Sequence, residues 1–310
     1  MKTAIVIGSG FSGLSTAALL AKSGIQVTIV EKNKQLGGRA RILKKNGFYF
    51  DMGPSWYWMP DIFDNLFADF NLKTQDFYKL IQLDPGFKII FDSAELSIPS
   101  NFEEICLLFE KHEKGGSKKL KKFIKDAEYK YDIGMNFMYK SPGLSIMELL
   151  SKEIILNITN FELLTSYRKH IRKYFSHPHL ISLLEFPVLF LGAAADKMPA
   201  LYSLMAFSAF KQGTYYPIGG FHQVTQALIK ICEKLGVKFI TNDAVSKINI
   251  ENKKAVSINT NSGKSINTDF VIASADYAHV EKKLIATKFN NYSEEYWSEK
   301  KFSPSSLIFY

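Results

Sequence analysis

The chain has 310 residues, 46% hydrophobic and 22% charged, with a formal net charge of +9. This is the balance of a folded protein large enough to bury a sizeable core and divide into two domains, which excludes a disordered or low-complexity chain. The two cysteines, Cys106 and Cys232, exclude a disulfide scaffold or CxxC site and point to a reducing compartment.

The chain opens with an apolar, β-branched run, Thr3 to Ile7, that predicts a strand. Gly8-Ser9-Gly10-Phe11-Ser12-Gly13 follows at once. A helix is expected next, with Leu14, Ala17, Ala18 and Ala21 on one face and Gly24 as its cap. Gln26 to Val30 reads as a second strand, closed by Glu31 and Lys32. Gly8 permits a sharp turn, Gly10 lets backbone approach a pyrophosphate, and Gly13 lets the helix pack against the strand. The helix N-terminus offers free N–H groups to phosphates. Glu31 lies 21 residues beyond Gly10 and is placed to accept both hydroxyls of an adenosine ribose. Because a strand, a helix and an acid surround the glycines, a dinucleotide site is a better reading than a plain turn.

Leu36-Gly37-Gly38-Arg39-Ala40 is a second glycine loop that can fold over the first, with Arg39 facing the pyrophosphate or the flavin side. Gly47 to Asp51 predicts a short strand running into another glycine turn at Gly53-Pro54-Ser55. Residues 61–70 have helical spacing, with Asp61 expected as the cap. Phe87 to Ile98 reads as a hairpin. A helix is expected from Ser100 and a second from Ser117, with Leu120, Phe123, Ile124, Ala127 and Tyr131 facing inward. Residues 111–130 hold eight lysines against three acids. This basic helix suits either an anionic lipid surface or a solvated face covering a core. No nucleic-acid motif accompanies the charge.

Residues 141–211 are expected to be largely helical, and Leu180 to Ala195 is the most apolar stretch, expected as a buried helix. Aromatic residues make up 14% of the chain, more than a simple core requires, which suggests apolar cavities or surfaces. His177 and His179 read as loop histidines, and no metal-ligand spacing occurs. A helix ending at Gly236, a strand at 237–240, an antiparallel pair at 244–260 and a strand at 269–276 complete the reading. The N-terminus runs directly into a strand, so no signal peptide is expected, and no uncharged apolar run is long enough to span a bilayer.

The arrangement from Glu31 to Gly38-Arg39 resembles the dinucleotide motif of the flavin amine oxidase and carotenoid desaturase superfamily. Phe50-Asp51-Met52-Gly53-Pro54-Ser55-Trp56-Tyr57-Trp58-Met59-Pro60 resembles, more narrowly, bacterial phytoene desaturases. The resemblance continues through Tyr216-Pro217-Ile218-Gly219-Gly220 and covers essentially the whole chain. It implies an α/β fold with a Rossmann-like FAD-binding domain, in which a parallel sheet with helices carries a small antiparallel meander. An α+β substrate domain with a helical lid would accompany it. The implied division is 1–84 with 212–286 for FAD, and 85–211 with 287–310 for substrate, the lid lying at about 100–165. FAD would be held by the glycine turn, Glu31, Lys32, Gly38, Arg39 and the Gly53-Pro54-Ser55 turn. The Val245 backbone would contact the adenine, and the turn beginning at Ala273 would approach the phosphates.

The implied activity is FAD-dependent desaturation of phytoene toward neurosporene or lycopene, by a cytoplasmic enzyme peripherally attached to membrane. A desaturase of a later, hydroxylated carotenoid shares the same motifs. Family members continue past Tyr310 with a glycine-rich segment that contacts the flavin, so a truncated chain is expected, and an inactive flavin-binding fragment is a third reading. Gly37-Gly38-Arg39 argues against an NAD-only dehydrogenase. No side chain is singled out as a catalytic base.

Overall fold

The computed structural model describes residues 1–141, 144–145, 162–303 and 307–309. Strand β1 (Thr3–Ile7), helix α1 (Phe11–Lys22) and strand β2 (Gln26–Val30) form the opening unit. Side chains of β1 alternate between two cores: Ala4 and Val6 join α1, whereas Ile5 and Ile7 face the opposite side. This is how a strand covered on both faces distributes a continuous apolar run. Val6, Leu14 and Ile29 are fully buried, each contributing about 1.5–3 kcal/mol relative to exposure.

The next elements are hairpin β3 (Ile42–Lys45)–β4 (Phe48–Asp51), helix α2 (Pro60–Ala68), β5 (Leu80–Gln82) and hairpin β6 (Phe87–Ile90)–β7 (Glu95–Ile98). Helices α3 (Phe102–His112) and α4 (Gly116–Lys140) follow. Asn101 caps α3 by accepting from the N–H groups of Glu103 and Glu104. Asp61 does not cap α2. Pro60 takes the first helical position, and the Asp61 carboxylate instead accepts from the Tyr131 hydroxyl and the Gln212 amide.

The chain returns to the first layer through β8 (Tyr215–Pro217), the helix His222–Lys234 and β9 (Lys238–Ile240). Strands β10 (Val245–Glu251), β11 (Lys254–Thr260) and β12 (Ser265–Asn267) make an antiparallel meander, and β13 (Phe270–Ala273) closes the parallel sheet. Its strand order is β13-β1-β2-β9, with every neighbour parallel. Asn252 and Lys253, both at positive φ, make the tight β10–β11 turn. Helix α1 and the helix His222–Lys234 cover one face of the sheet, where the Cys232 thiol donates to the Leu14 carbonyl. The meander and Val280–Leu284 cover the other.

A separate apolar core gathers residues from Phe87 to Phe210. The inward face expected for α4 is present: Leu120, Phe123, Ile124, Ala127 and Tyr131 are all buried there. Lys130, counted with the basic face, is instead completely buried, bonded to Asp126 and Glu162. The apolar stretch from Leu180 is only half a buried helix. Pro178–Glu185 is α-helical and buries Leu180, Leu183 and Leu184. Pro187 then accompanies a tighter 3₁₀ segment, Phe186–Leu191, whose Leu189 and Phe190 are about 60% exposed (59% and 60%). Met198-Pro199-Ala200 leads into short 3₁₀, α and π turns through Gln212 rather than one regular helix. Residues 142–143 and 146–161 of the expected lid lie outside the described residues, as do 304–306 and 310; residues 301–303 and 307–309 are in no strand.

Candidate functional site

A cleft of about 740 Å³ opens where β1, β2 and β13 end. Three chain segments make its floor. Gly8 leaves β1 with φ +96°, and its N–H still reaches the Val30 carbonyl at 2.9 Å. Helix α1 begins with Gly10 at its N-cap, has no side-chain cap and carries no acid in its first turn, so its N-terminal N–H groups face the cleft unneutralised. A Cβ on Gly10 would meet nothing within 4 Å, which leaves the space above it for a ligand. A Cβ on Gly13 would instead lie 2.1 Å from the Gly8 carbonyl oxygen, so Gly13 serves the packing of α1 on the turn.

The second glycine loop folds back over the first. The Gly37 N–H donates to the Ser9 carbonyl at 3.0 Å, and a Cβ on Gly38 would come 2.9 Å from the Gly10 Cα. The Arg41 Nε donates to the Gly38 carbonyl at 2.8 Å and fixes this loop. Lys32, Arg39 and Arg41 line the cleft together with Asp276 and His279.

Glu31 ends β2 and is 4% exposed. One carboxylate oxygen accepts from the Ser9 N–H (3.0 Å) and Ser9 hydroxyl (2.7 Å); the other accepts from the Asn33 N–H (2.9 Å) and side-chain amide (2.6 Å). Burial alone would raise this carboxyl, but the four donors outweigh it and hold it below the usual carboxylate range. Its acceptor positions are therefore filled. Two donors are backbone groups, and the Ser9 hydroxyl is further held by the Gly37 N–H at 3.2 Å. The Asn33 side chain is the donor that a ribose hydroxyl can replace.

Of the expected site residues, Gly8, Ser9, Gly10, Phe11, Ser12, Glu31, Lys32, Gly38, Arg39, Pro54 and Val245 line this one cleft. Three do not. Gly13 lies beneath the turn. Gly53 lies against Arg39, where a Cβ would be 2.4 Å from the Arg39 carbonyl oxygen. Ala273 itself is in β13, paired with Ile7, while Ser274 and Ala275 of the same expected turn, with Asp276 beyond it, line the wall. Sequence reasoning missed Asn33, Arg41, Asp276 and His279. Asn33, two residues past the acid, was the one with a local signal.

Pro54 also lines a second compartment of about 530 Å³, with Gly53, Ser55, Trp56, Trp58, Phe186 and Phe190. Its rings touch one another: Trp56–Trp58 at 5.6 Å, Trp58–Phe190 at 5.5 Å and Phe186–Phe190 at 5.4 Å between centroids. The Trp58 indole N–H is satisfied by the Thr214 hydroxyl at 2.8 Å. No acid, base or imidazole lines this compartment among the described residues. Asp126, Glu162 and His170 are close enough to hold a metal, but the Lys130 ammonium already lies against both carboxylates.

An adenine dinucleotide fits the cleft: free N–H groups and open space over Gly10 suit its phosphates, and an acid at the end of β2 suits its ribose. Comparison with known proteins agrees. The family model for flavin containing amine oxidoreductases matches residues 11–305. The chain is 35% identical over 308 residues to a carotenoid 3,4-desaturase of Haloarcula japonica, covering 98% of this chain and 62% of that protein. It is 31% identical to a phytoene desaturase of Phycomyces blakesleeanus, covering 100% of this chain and 54% of that one. It thus spans little more than half to three-fifths of these relatives. Among solved structures, the PF1083 protein of Pyrococcus furiosus shares the fold with a TM-score of 0.60 at 19% identity, over 96% of this chain and 64% of that one. A putrescine oxidase structure gives 0.60 at 16% identity, over 92% and 60%. With the glycine turn, the acid and the second glycine loop assembled on one cleft, the chain belongs to the flavin containing amine oxidoreductase family, with FAD as its cofactor.

Proposed function

We propose that this chain carries the FAD site and part of the substrate site of a carotenoid desaturase, with phytoene as the substrate. The observation that carries the reading is Pro54, which belongs both to the dinucleotide cleft and to the aromatic compartment. A dinucleotide anchored at Glu31 and extended over Gly10 brings its far end toward Pro54. A hydrocarbon has no polar handle, so its binding comes from apolar burial at about 25 cal/mol per Å². Trp56, Trp58, Phe186 and Phe190 supply that surface.

Desaturation removes a hydride and a proton from adjacent saturated carbons and leaves a double bond. FAD supplies the hydride acceptor when bound. The chain's own residues bind, orient and exclude water: the ring cluster confines the hydrocarbon, and Gly53 keeps the Pro54 turn close against Arg39. Desaturation of a more oxidised carotenoid is a second reading, favoured by the 35% identity to a 3,4-desaturase.

The core from Phe87 to Phe210 is separate from the two that cover the parallel sheet, which supports a division into a cofactor part, 1–84 with 212–286, and a substrate part at 85–211; we add 287–310 to the substrate part from the family resemblance alone. A lipid-soluble substrate suits a peripheral seat on an anionic bilayer from the cytoplasmic side. Exposed Lys118, Lys122 and Lys125 of α4 are the contact we assign to it. Among the described residues no helix is long and apolar enough to cross a membrane. The test is to express the chain in cells that accumulate phytoene and to analyse their pigments. Neurosporene or lycopene is the expected product; unchanged phytoene in cells whose purified chain carries FAD would reject the activity.

A further inference from the structure

Phe186 belongs to two compartments. On one side is the aromatic compartment that begins at Pro54. On the other is a cavity of about 480 Å³ whose apolar lining includes Ile89, Ile90, Leu189, Ala194 and Ala195. Three cavities therefore form a series, joined first at Pro54 and then at Phe186. The far cavity also has charged groups in its lining. Arg168 and Glu185, paired at 2.9 Å, and Lys88 stand in its wall.

The exposure of this path is unusual for a folded protein. Ile90 is 78% exposed and Phe190 60%, on opposite sides of Phe186 in the series. Isolated exposed apolar residues are ordinary, but a continuous series leading away from a cofactor cleft marks a binding path. A long, thin hydrocarbon needs such a path rather than one round pocket. Phe186 is held in place by contacts to Trp56 (5.8 Å), Phe87 (5.4 Å) and Phe190 (5.4 Å). These contacts place its ring at the passage between the two compartments.

We propose that the hydrocarbon substrate runs from Pro54 through the aromatic compartment, past Phe186, into the cavity beneath Ile89, Ile90 and Ala194. The charged groups in the wall of that cavity oppose further apolar burial, so Phe186 and the far cavity set the chain length accepted. This rests on the reading of the aromatic compartment as the hydrocarbon site and adds to it a direction and a length limit.

The test uses the 310-residue chain with Trp297→Phe, so that tryptophan emission comes from Trp56 and Trp58 alone. Two polyene probes are added, retinol as the short one and lycopene as the long one, and quenching is titrated. Ala194→Phe fills the far cavity at an exposed position, so the fold is expected to survive, as circular dichroism would check. Retinol should bind this variant as it binds the parent, while lycopene should bind at least tenfold more weakly. Phe186→Ala should widen the passage and tighten lycopene relative to retinol. If Ala194→Phe changes both probes equally, or neither, the path past Phe186 is wrong while the aromatic site stands. If neither probe quenches the parent chain, the hydrocarbon site itself is wrong and this path with it.

Discussion

Ser9 gives both its backbone N–H and its hydroxyl to a single carboxylate oxygen of Glu31, at 3.0 and 2.7 Å. The glycine turn after β1 and the acid after β2 are thereby locked together before any ligand arrives. The acid we propose to meet a ribose is also the one that shapes the glycine turn.

Removing that carboxylate should therefore affect both functions. A charged hydrogen-bond partner is worth about 1.5–3 kcal/mol. Glu31→Ala should weaken FAD binding by roughly ten- to a hundredfold on that scale, read by flavin fluorescence titration. Equal affinity for variant and parent would remove Glu31 from the site. Asn33→Ala should cost much less, since its amide is the donor that a ribose replaces.

Gly10 and Gly13 make a matched pair. Gly10 has φ −69°, which any residue adopts, and open space where a Cβ would point. Gly10→Ala should leave urea unfolding of the ligand-free chain nearly unchanged while FAD binding is strongly reduced. Gly13→Ala would drive a methyl group into the Gly8 carbonyl and should destabilise the ligand-free chain by about 1–3 kcal/mol. Equal stability loss in the two variants would show that the space over Gly10 is not reserved for ligand.

Glu113, where α3 meets α4, is expected to contribute to the pH dependence of stability. Burial alone would raise its carboxyl, but the Lys119 ammonium and the N–H groups of His177 and Ser176 outweigh it and hold it at about 2. A carboxyl depressed in the folded state stabilises fully above its unfolded value, 4.5, and that stability is lost as pH falls toward 2. Glu113→Gln should lower stability at neutral pH and flatten the decline between those two values. A parallel decline in both proteins, followed by denaturant unfolding at each pH, would count against this linkage.

The exposed lysines of α4 give a test of membrane seating. Lys119 and Lys121 are already paired with Glu113 and Glu103. Lys118, Lys122 and Lys125 are the better targets, and changing all three to Glu should release the chain from phosphatidylserine vesicles in a flotation assay. Attractions of about 1 kcal/mol per basic residue predict a loss well beyond tenfold. Unchanged flotation would return α4 to the role of a solvated helix covering a core.

The β-α-β unit was legible in the sequence because its signals are local. Glycine spacing, helical periodicity and a closing acid all fall between Thr3 and Glu31. The inward face of α4 was legible for the same reason. Lys130 was not. It lies at the edge of that face, and its partner Glu162 comes from 32 residues away. Asp61 looked like a cap, but its hydrogen bonds come from Tyr131 and Gln212, far along the chain. Phe186–Leu191 looked like buried helix because its residues are apolar, whereas exposure was decided by the compartments on either side. In each case a tertiary partner outweighed a local preference.

The account turns on where FAD lies, and a structure of the chain with FAD bound tests this most directly. We expect ribose hydroxyls within hydrogen-bond distance of Glu31, phosphates over Gly10 at the start of α1, and the flavin ring beside Pro54 at the mouth of the aromatic compartment. FAD bound away from Glu31, or a flavin ring directed away from Pro54, would contradict it.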